Sequence, residues 1–180
     1  MRKLTRSFQR LAYPLAVAAL LSSAFCTAAK AQSATVVALG ASNTKGKGVS
    51  PAEAWPARLE AMLKSKGVSA NVINAGINGD TTGGMLARLD SAVPQGTRVV
   101  ILQPGSNDRK RGVGEGERDG NLSQIRSRLA ARKIKVVMMG GSSFRSVKRG
   151  HLQADGIHIT AAGHAKLAAS ILPQVLAAIR

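Results

Sequence analysis

Four short, almost unbroken apolar runs punctuate the chain: residues 35–39 (TVVAL), 70–74 (ANVIN), 98–102 (RVVIL) and 135–139 (KVVMM). Each is rich in β-branched residues, as strands buried on both faces of a parallel sheet are. Between them the apolar spacing changes to a helical period. Trp55, Leu59, Met62 and Leu63 fall at i, i+4, i+7 and i+8, and Gly67 is placed to end that helix. Ser50 and Glu53 have the spacing of a capping box, and Pro56 fits a first turn. Met85, Leu86 and Leu89 predict a short second helix. The run Asn121-Leu122-Ser123-Gln124 reads as the start of a third, with Leu122, Ile125 and Leu129 inward. Thr160 can cap the last helix, which carries Leu167, Ile171, Leu172, Val175, Leu176 and Ile179, with a kink expected at Pro173.

Alternating strands and helices imply a doubly wound parallel sheet with right-handed crossovers. Sites in such sheets lie outside the carboxyl ends of the strands. That rule selects residues 40–48, 75–82, 103–111 and 140–158, which hold all the plausible chemistry of the sequence.

The first thirty residues have a different pattern. Residues 1–10 carry four basic groups and no acid, an apolar run follows (LAYPLAVAALLSSAFC), and Ala29-Lys30-Ala31 has the small-x-small form of a cleavage site. These are the three parts of a secretory signal. The apolar run falls short of the roughly 20 residues a spanning helix needs. The expected organisation is a signal peptide over 1–31 and a single domain over 32–180, exported to the periplasm or the medium. The only cysteine, Cys26, would leave with the signal, which excludes disulfides and thiol chemistry in the mature domain.

Charge narrows the partners. The formal net charge is +17 over 180 residues. Five of the 26 basic residues precede position 32, which leaves 21 against 9 acidic ones. Such a balance points to nucleic acid, an anionic envelope or an anionic substrate. Beyond the signal only Trp55 and Phe144 are aromatic, so the stacking platforms of single-strand binders are missing and nucleic acid is not expected.

In the first selected segment the sequence VVALGASNTKGKG comes within one residue of a phosphate-binding loop. Five residues separate Gly40 from Gly46, and Gly48 stands where Ser or Thr should follow Lys47. The same segment presents Ser42, three residues beyond the strand. A serine hydroxyl needs a neighbouring base to act as a nucleophile. In Asp155-Gly156-Ile157-His158 the acid precedes the histidine by three residues, a spacing that in a turn can put the carboxylate on Nδ1 and leave Nε2 for Ser42. His151 and His164 have no such acid and read as surface or packing residues. Gly79, after the second run, can bring a backbone N–H close to a reacting carbonyl, and Asn107, after the third, offers a side-chain amide.

These blocks resemble the SGNH, or GDSL-like, hydrolases, from about Val36 to the C-terminus. GASNT matches the block of the nucleophile (Ser42), NAGINGDTT that of the oxyanion glycine (Gly79), GSND that of the oxyanion asparagine (Asn107), and DGIHIT supplies Asp155 and His158. AEAWPARLEAML and the GDT context are similar to the bacterial periplasmic thioesterase, lysophospholipase and arylesterase subgroup. The resemblance implies a flavodoxin-like three-layer α/β/α fold with four to five strands, no cofactor or metal, and ester or thioester substrates. Catalysis would pass through Ser42, His158 and Asp155, with the Ser42 and Gly79 N–H groups and the Asn107 amide around the oxyanion.

Two departures stand out. Ala41 replaces the family's usual Asp before the serine, and only fifteen residues separate Met139 from Asp155, where relatives place a helix and a fifth strand. A pocket open on that side favours short or exposed acyl groups. Eight basic residues, Lys45, Lys47, Arg109, Lys110, Arg111, Arg145, Lys148 and Arg149, are expected to rim the catalytic edge and to attract an anionic substrate or contact an anionic envelope. The rival readings are a weakened or inactive envelope-binding relative, motivated by Ala41, and a metal-dependent hydrolase using Asp155, His158 and His164.

Overall fold

In a computed structural model, which describes residues 33–145, 147 and 150–180, the apolar runs form one sheet. Its strands are β1 (Ala34–Gly40), β2 (Ala70–Gly76), β3 (Thr97–Gln103) and β4 (Lys135–Met138). All pair in parallel, in the order β2-β1-β3-β4. The two middle strands show why their sequences are continuous apolar runs. Val36, Ala38, Val99 and Ile101 face one layer of helices, while Val37, Leu39, Val100 and Leu102 face the other. The first layer is α2 (Trp55–Ser65) and α8 (Ala161–Ile179), which bury Trp55, Leu59, Leu63, Leu167, Ile171 and Val175. The second is α3 (Thr82–Ala87), α4 (Leu89–Ala92) and α6 (Glu115–Ala131), which bury Met85, Leu89, Leu122, Ile125 and Leu129. One-turn helices α1 (Ser42–Lys45), α5 (Asn107–Lys110) and α7 (Gly141–Phe144) follow β1, β3 and β4.

One helix start differs from expectation, while α2 begins at Trp55 with Pro56 in its first turn, as expected. Helix α6 begins at Glu115, six residues before Asn121, which sits mid-helix and donates to the Thr82 hydroxyl over 3.3 Å. Gly116 and Gly120 argue against helix by propensity, but Glu115 and Glu117 suit a helix N-terminus, and packing on the sheet overrides propensity. Glu53 does reach back to the N–H and hydroxyl of Ser50, at 3.0 and 2.7 Å. That contact shapes the turn ahead of α2, whose N-cap is Ala54. Thr160 caps α8 as expected, accepting from the Gly163 N–H. No fifth strand follows β4 among the described residues. An antiparallel bridge between Leu152 and Ile159 closes a tight loop instead. The expected signal, residues 1–31, lies outside the described residues.

The sheet carries α1 against its carboxyl edge with almost no clearance. A Cβ on Gly76 would sit 2.2 Å from the Lys45 backbone nitrogen. We expect Gly76→Ala to cost about 1–3 kcal/mol, the usual penalty of overpacking. Urea unfolding measures it, and an unchanged midpoint would show that α1 and β2 are less tightly seated than described.

Candidate active site

β1 stops at Gly40, and Ser42 opens α1 directly at its end. Three hydrogen bonds hold this turn. The Thr44 and Lys45 N–H groups both donate to the Ala41 carbonyl, and the buried Thr44 hydroxyl donates to Gln103 Oε1 at the end of β3 over 2.9 Å. Ser42 is thereby fixed at the seam between the middle strands, half-exposed toward a cavity of about 200 Å³.

His158 reaches that cavity from the loop closed by the Leu152–Ile159 bridge. The loop is pinned by backbone bonds from Gln153 N–H to the His158 carbonyl (2.7 Å) and from Thr160 N–H to the His151 carbonyl (2.8 Å). Within it Asp155 uses both oxygens. Oδ1 accepts the Ile157 and His158 N–H groups at 2.9 Å each, and Oδ2 meets His158 Nδ1. The His158 N–H, then its ring, then the Ile157 N–H hold the Asp155 carboxyl well below the usual carboxylate range. With its Nδ1 proton facing Asp155, the ring turns its Nε2 lone pair to Ser42 Oγ, 3.0 Å away. An acid, an imidazole and a hydroxyl in this chain can draw a proton off the hydroxyl as it attacks.

The other wall comes from the loops after β2 and β3. Gly79 lies at φ +75°, a left-handed conformation that favours glycine, and its carbonyl accepts from Arg111 over 3.1 Å. Asn107 donates one amide hydrogen to the Asp80 carbonyl over 2.8 Å. An amide has a second hydrogen to offer the cavity, which both Gly79 and Asn107 line. Ser42, Gly79, Asn107 and His158 therefore line one cavity, and Asp155 stands behind the imidazole.

Part of the supporting framework lies outside the matched blocks. Asp80 forms an ion pair with Arg88 at 2.6 Å, and Arg88 also donates to the Ala75 carbonyl over 2.9 Å, tying the Gly79 loop to the end of β2. Asp108 is buried and accepts the Thr82 N–H (3.1 Å) and hydroxyl (2.5 Å), joining the loops after β2 and β3. Asn43 bridges from beside the nucleophile to the Ile157 carbonyl and the Ile159 N–H, the two neighbours of His158. Gln153 Nε2 donates to the Lys47 and Ile159 carbonyls, 2.8 Å each. Turn chemistry signals Asp80 and Asp108 in the sequence. Nothing in it signals Gln153, which bonds backbone carbonyls, or Arg88, eight residues from Asp80.

The basic rim is only partly a rim. Lys47 and Lys110 line the cavity, while Lys45 and Arg109 line hollows beside it. Arg111 is engaged by Gly79, and Arg145 is exposed after α7. Lys148 and Arg149 lie outside the described residues.

His164 is separate from this constellation. Its ring is fully buried on α8, and Nδ1 accepts the Trp55 N–H over 3.1 Å. Among the described residues no three His, Cys, Asp or Glu side chains are grouped to hold a metal, so the cluster of Asp155, His158 and His164 that the metal reading requires does not form. Burial lowers the His164 pKa to about 4, against a smaller opposing pull from Glu53. The unfolded chain protonates this ring near pH 6.5. The unfolded state therefore gains protons first, and stability falls as pH drops from about 6.5 toward 4, by on the order of 3 kcal/mol for this group. His164→Asn keeps an acceptor for Trp55 and removes the titration. We expect a flatter stability profile over that window, read by urea unfolding; an unchanged slope would contradict a neutral buried ring.

Comparison with known proteins follows the same lines. Residues 38–154 match the GDSL-like Lipase/Acylhydrolase family. The match takes in Ser42, Gly79 and Asn107 and ends one residue before Asp155. An arylesterase of Vibrio mimicus is 37% identical over 117 residues, covering 64% of this chain and 58% of the relative. The crystal structure of TesA superposes with a TM-score of 0.74 at 25% identity, covering 80% of this chain and 99% of that one. AlinE4, an esterase of the SGNH-hydrolase family, gives 0.63 at 29%, covering 82% and 97%. The chain spans only 50–58% of the length of the curated relatives it matches. The parallel four-stranded sheet between two helical layers is thus the SGNH-hydrolase fold, and the chain belongs to the GDSL-like lipase/acylhydrolase family.

Proposed function

We propose that the protein is a serine esterase that hydrolyses carboxylic ester or thioester bonds through an acyl-enzyme. The observation that carries this reading is the chain Asp155–His158–Ser42, with Nε2 and Oγ 3.0 Å apart at the mouth of one cavity. His158 takes the Ser42 proton as Oγ attacks the carbonyl carbon, and Asp155 stabilises the imidazolium. The N–H groups of Ser42 and Gly79 and the free Asn107 amide hydrogen receive the oxyanion. The alcohol or thiol leaves with the proton from His158, and water, activated by the same base, releases the acid. No step calls on a cofactor or metal.

Substrates are esters with short or exposed acyl groups, among them aryl esters, acyl thioesters and lysophospholipids. The cavity of about 200 Å³ is below the roughly 300–1,000 Å³ typical of pockets that enclose a drug-sized ligand. The basic, apolar and small-residue blocks of the first 31 positions support export, and with it peripheral contact with an anionic envelope.

One observation favours the rival of a weakened or non-catalytic relative. Ala41 is 2% exposed and packs in the apolar cluster with Val37 and Leu39, so no polar side chain flanks the nucleophile there. Turnover decides between the two. On an acetyl aryl ester we expect Ser42→Ala to lose at least about a thousandfold in kcat, and Asn107→Ala about 100–1,000-fold, the usual cost of one oxyanion donor. Wild-type protein that folds but turns over no ester would support the rival, and a fully active Ser42→Ala would refute the esterase mechanism. Acetate and butyrate esters are expected to outpace palmitate; a clear preference for palmitate would contradict the small cavity.

A further inference from the structure

We infer that the cavity beside Ser42 selects esters carrying an anionic group, a carboxylate or phosphate within a few bonds of the scissile carbonyl, held by Lys47 and Lys110. This deepens the hydrolase reading and rests on it. The two lysines come from different segments, Lys47 from the loop after α1 and Lys110 from the end of α5, yet both line the cavity of Ser42 and His158. No aspartate or glutamate lines it.

The carboxylates nearest the site are all engaged elsewhere. Asp80 is paired with Arg88, Asp108 is closed over Thr82, and Asp155 is bonded to His158. Neither lysine has an ion-pair partner among the described residues. Two further cavity side chains, Asn78 and Ser106, have no hydrogen-bond partner among the described residues and offer neutral donors. The hollow beside Arg109 is different, because Glu115 and Asp119 share it with Arg109 and Arg118. In the cavity of Ser42, by contrast, the two lysines have no acidic neighbour in the lining.

Two lysines that line one concave space add positive charge beside it, which attracts an anionic substrate and does nothing for a neutral one. A concave site of one sign also raises the encounter rate of oppositely charged substrates. The reaction itself is unchanged: the acyl C–O bond breaks, water supplies the new C–OH, and the anionic group takes no part in bond exchange.

The test compares kcat/KM for matched acetyl esters, each normalised to its rate of alkaline hydrolysis. Para-carboxyphenyl and para-phosphophenyl acetates are set against neutral para-carbamoylphenyl acetate. Phenyl hemisuccinate against phenyl butyrate places the charge on the acyl side. We expect a preference of at least about fivefold for an anionic member of one set, consistent with a partly exposed ion pair. It should shrink near 1 M salt, where the screening length is about 3 Å. Lys47→Gln/Lys110→Gln should bring the ratio close to one. Lys64→Gln, at the opposite edge beside the start of β2, removes the same kind of charge and should leave the ratio as it was. If the carboxylate and phosphate probes differ, the better one names the class. Equal rates for charged and neutral esters, or a preference untouched by the double substitution, overturn the inference while Ser42-dependent turnover leaves the hydrolase reading standing. Loss of turnover on every ester overturns both.

Discussion

Everything at this site depends on one hydrogen bond between residues 116 positions apart, Ser42 Oγ and His158 Nε2. The sheet alone does not hold that pair together. β1 delivers Ser42, but His158 sits in a loop with no strand beneath it among the described residues. The distance is kept by direct ties between the two segments. Asn43 bonds the backbone on both sides of His158, and Gln153 bonds the Lys47 carbonyl. The loop is itself rigid because the Asp155 carboxylate both closes its turn and orients the imidazole. One Asp155 oxygen closes the turn and the other meets the imidazole, so the loop holds its shape with no fifth strand beside it among the described residues.

The second wall follows a similar economy. Asp80, Arg88 and Arg111 hold the Gly79 loop, and Asp108 with Thr82 joins it to the loop that carries Asn107. Acidic residues are scarce in this chain, and the three near the site are all engaged in positioning the walls. Their engagement leaves the lysines of the cavity unbalanced. The positive character of the site is thus a consequence of how its walls are built, as well as of overall composition.

The sheet and helices α2, α3 and α8 are legible in the sequence because long-period patterns decide them. Continuous apolar runs mark strands covered on both faces, and the spacing of Trp55, Leu59 and Leu63 marks α2. Helix α6 is harder to read. Its glycines hide a start that Glu115, Glu117 and sheet packing fix. The capping pattern at Ser50 and Glu53 is a real contact, but local hydrogen bonds do not reveal whether they begin a helix or a preceding turn. At the site, Ser42, Gly79, Asn107, Asp155 and His158 are legible because chemistry and strand ends constrain them together. Gln153 is not, since a side chain that bonds backbone carbonyls leaves no pattern, and the eight-residue spacing of Asp80 and Arg88 is not one that a helix or strand period marks. The eight-residue rim illustrates the same limit: proximity to a strand end does not separate Lys47, which faces the cavity, from Arg111, which supports Gly79.

The central claim is that the His158–Asp155 pair makes Ser42 nucleophilic. Reaction of the folded protein with a fluorophosphonate probe, followed by peptide mapping, tests it most directly. The account requires a single stoichiometric adduct on Ser42, lost in His158→Ala although that variant stays folded by circular dichroism. No adduct on the folded wild-type protein, or an adduct on any other serine, would contradict it.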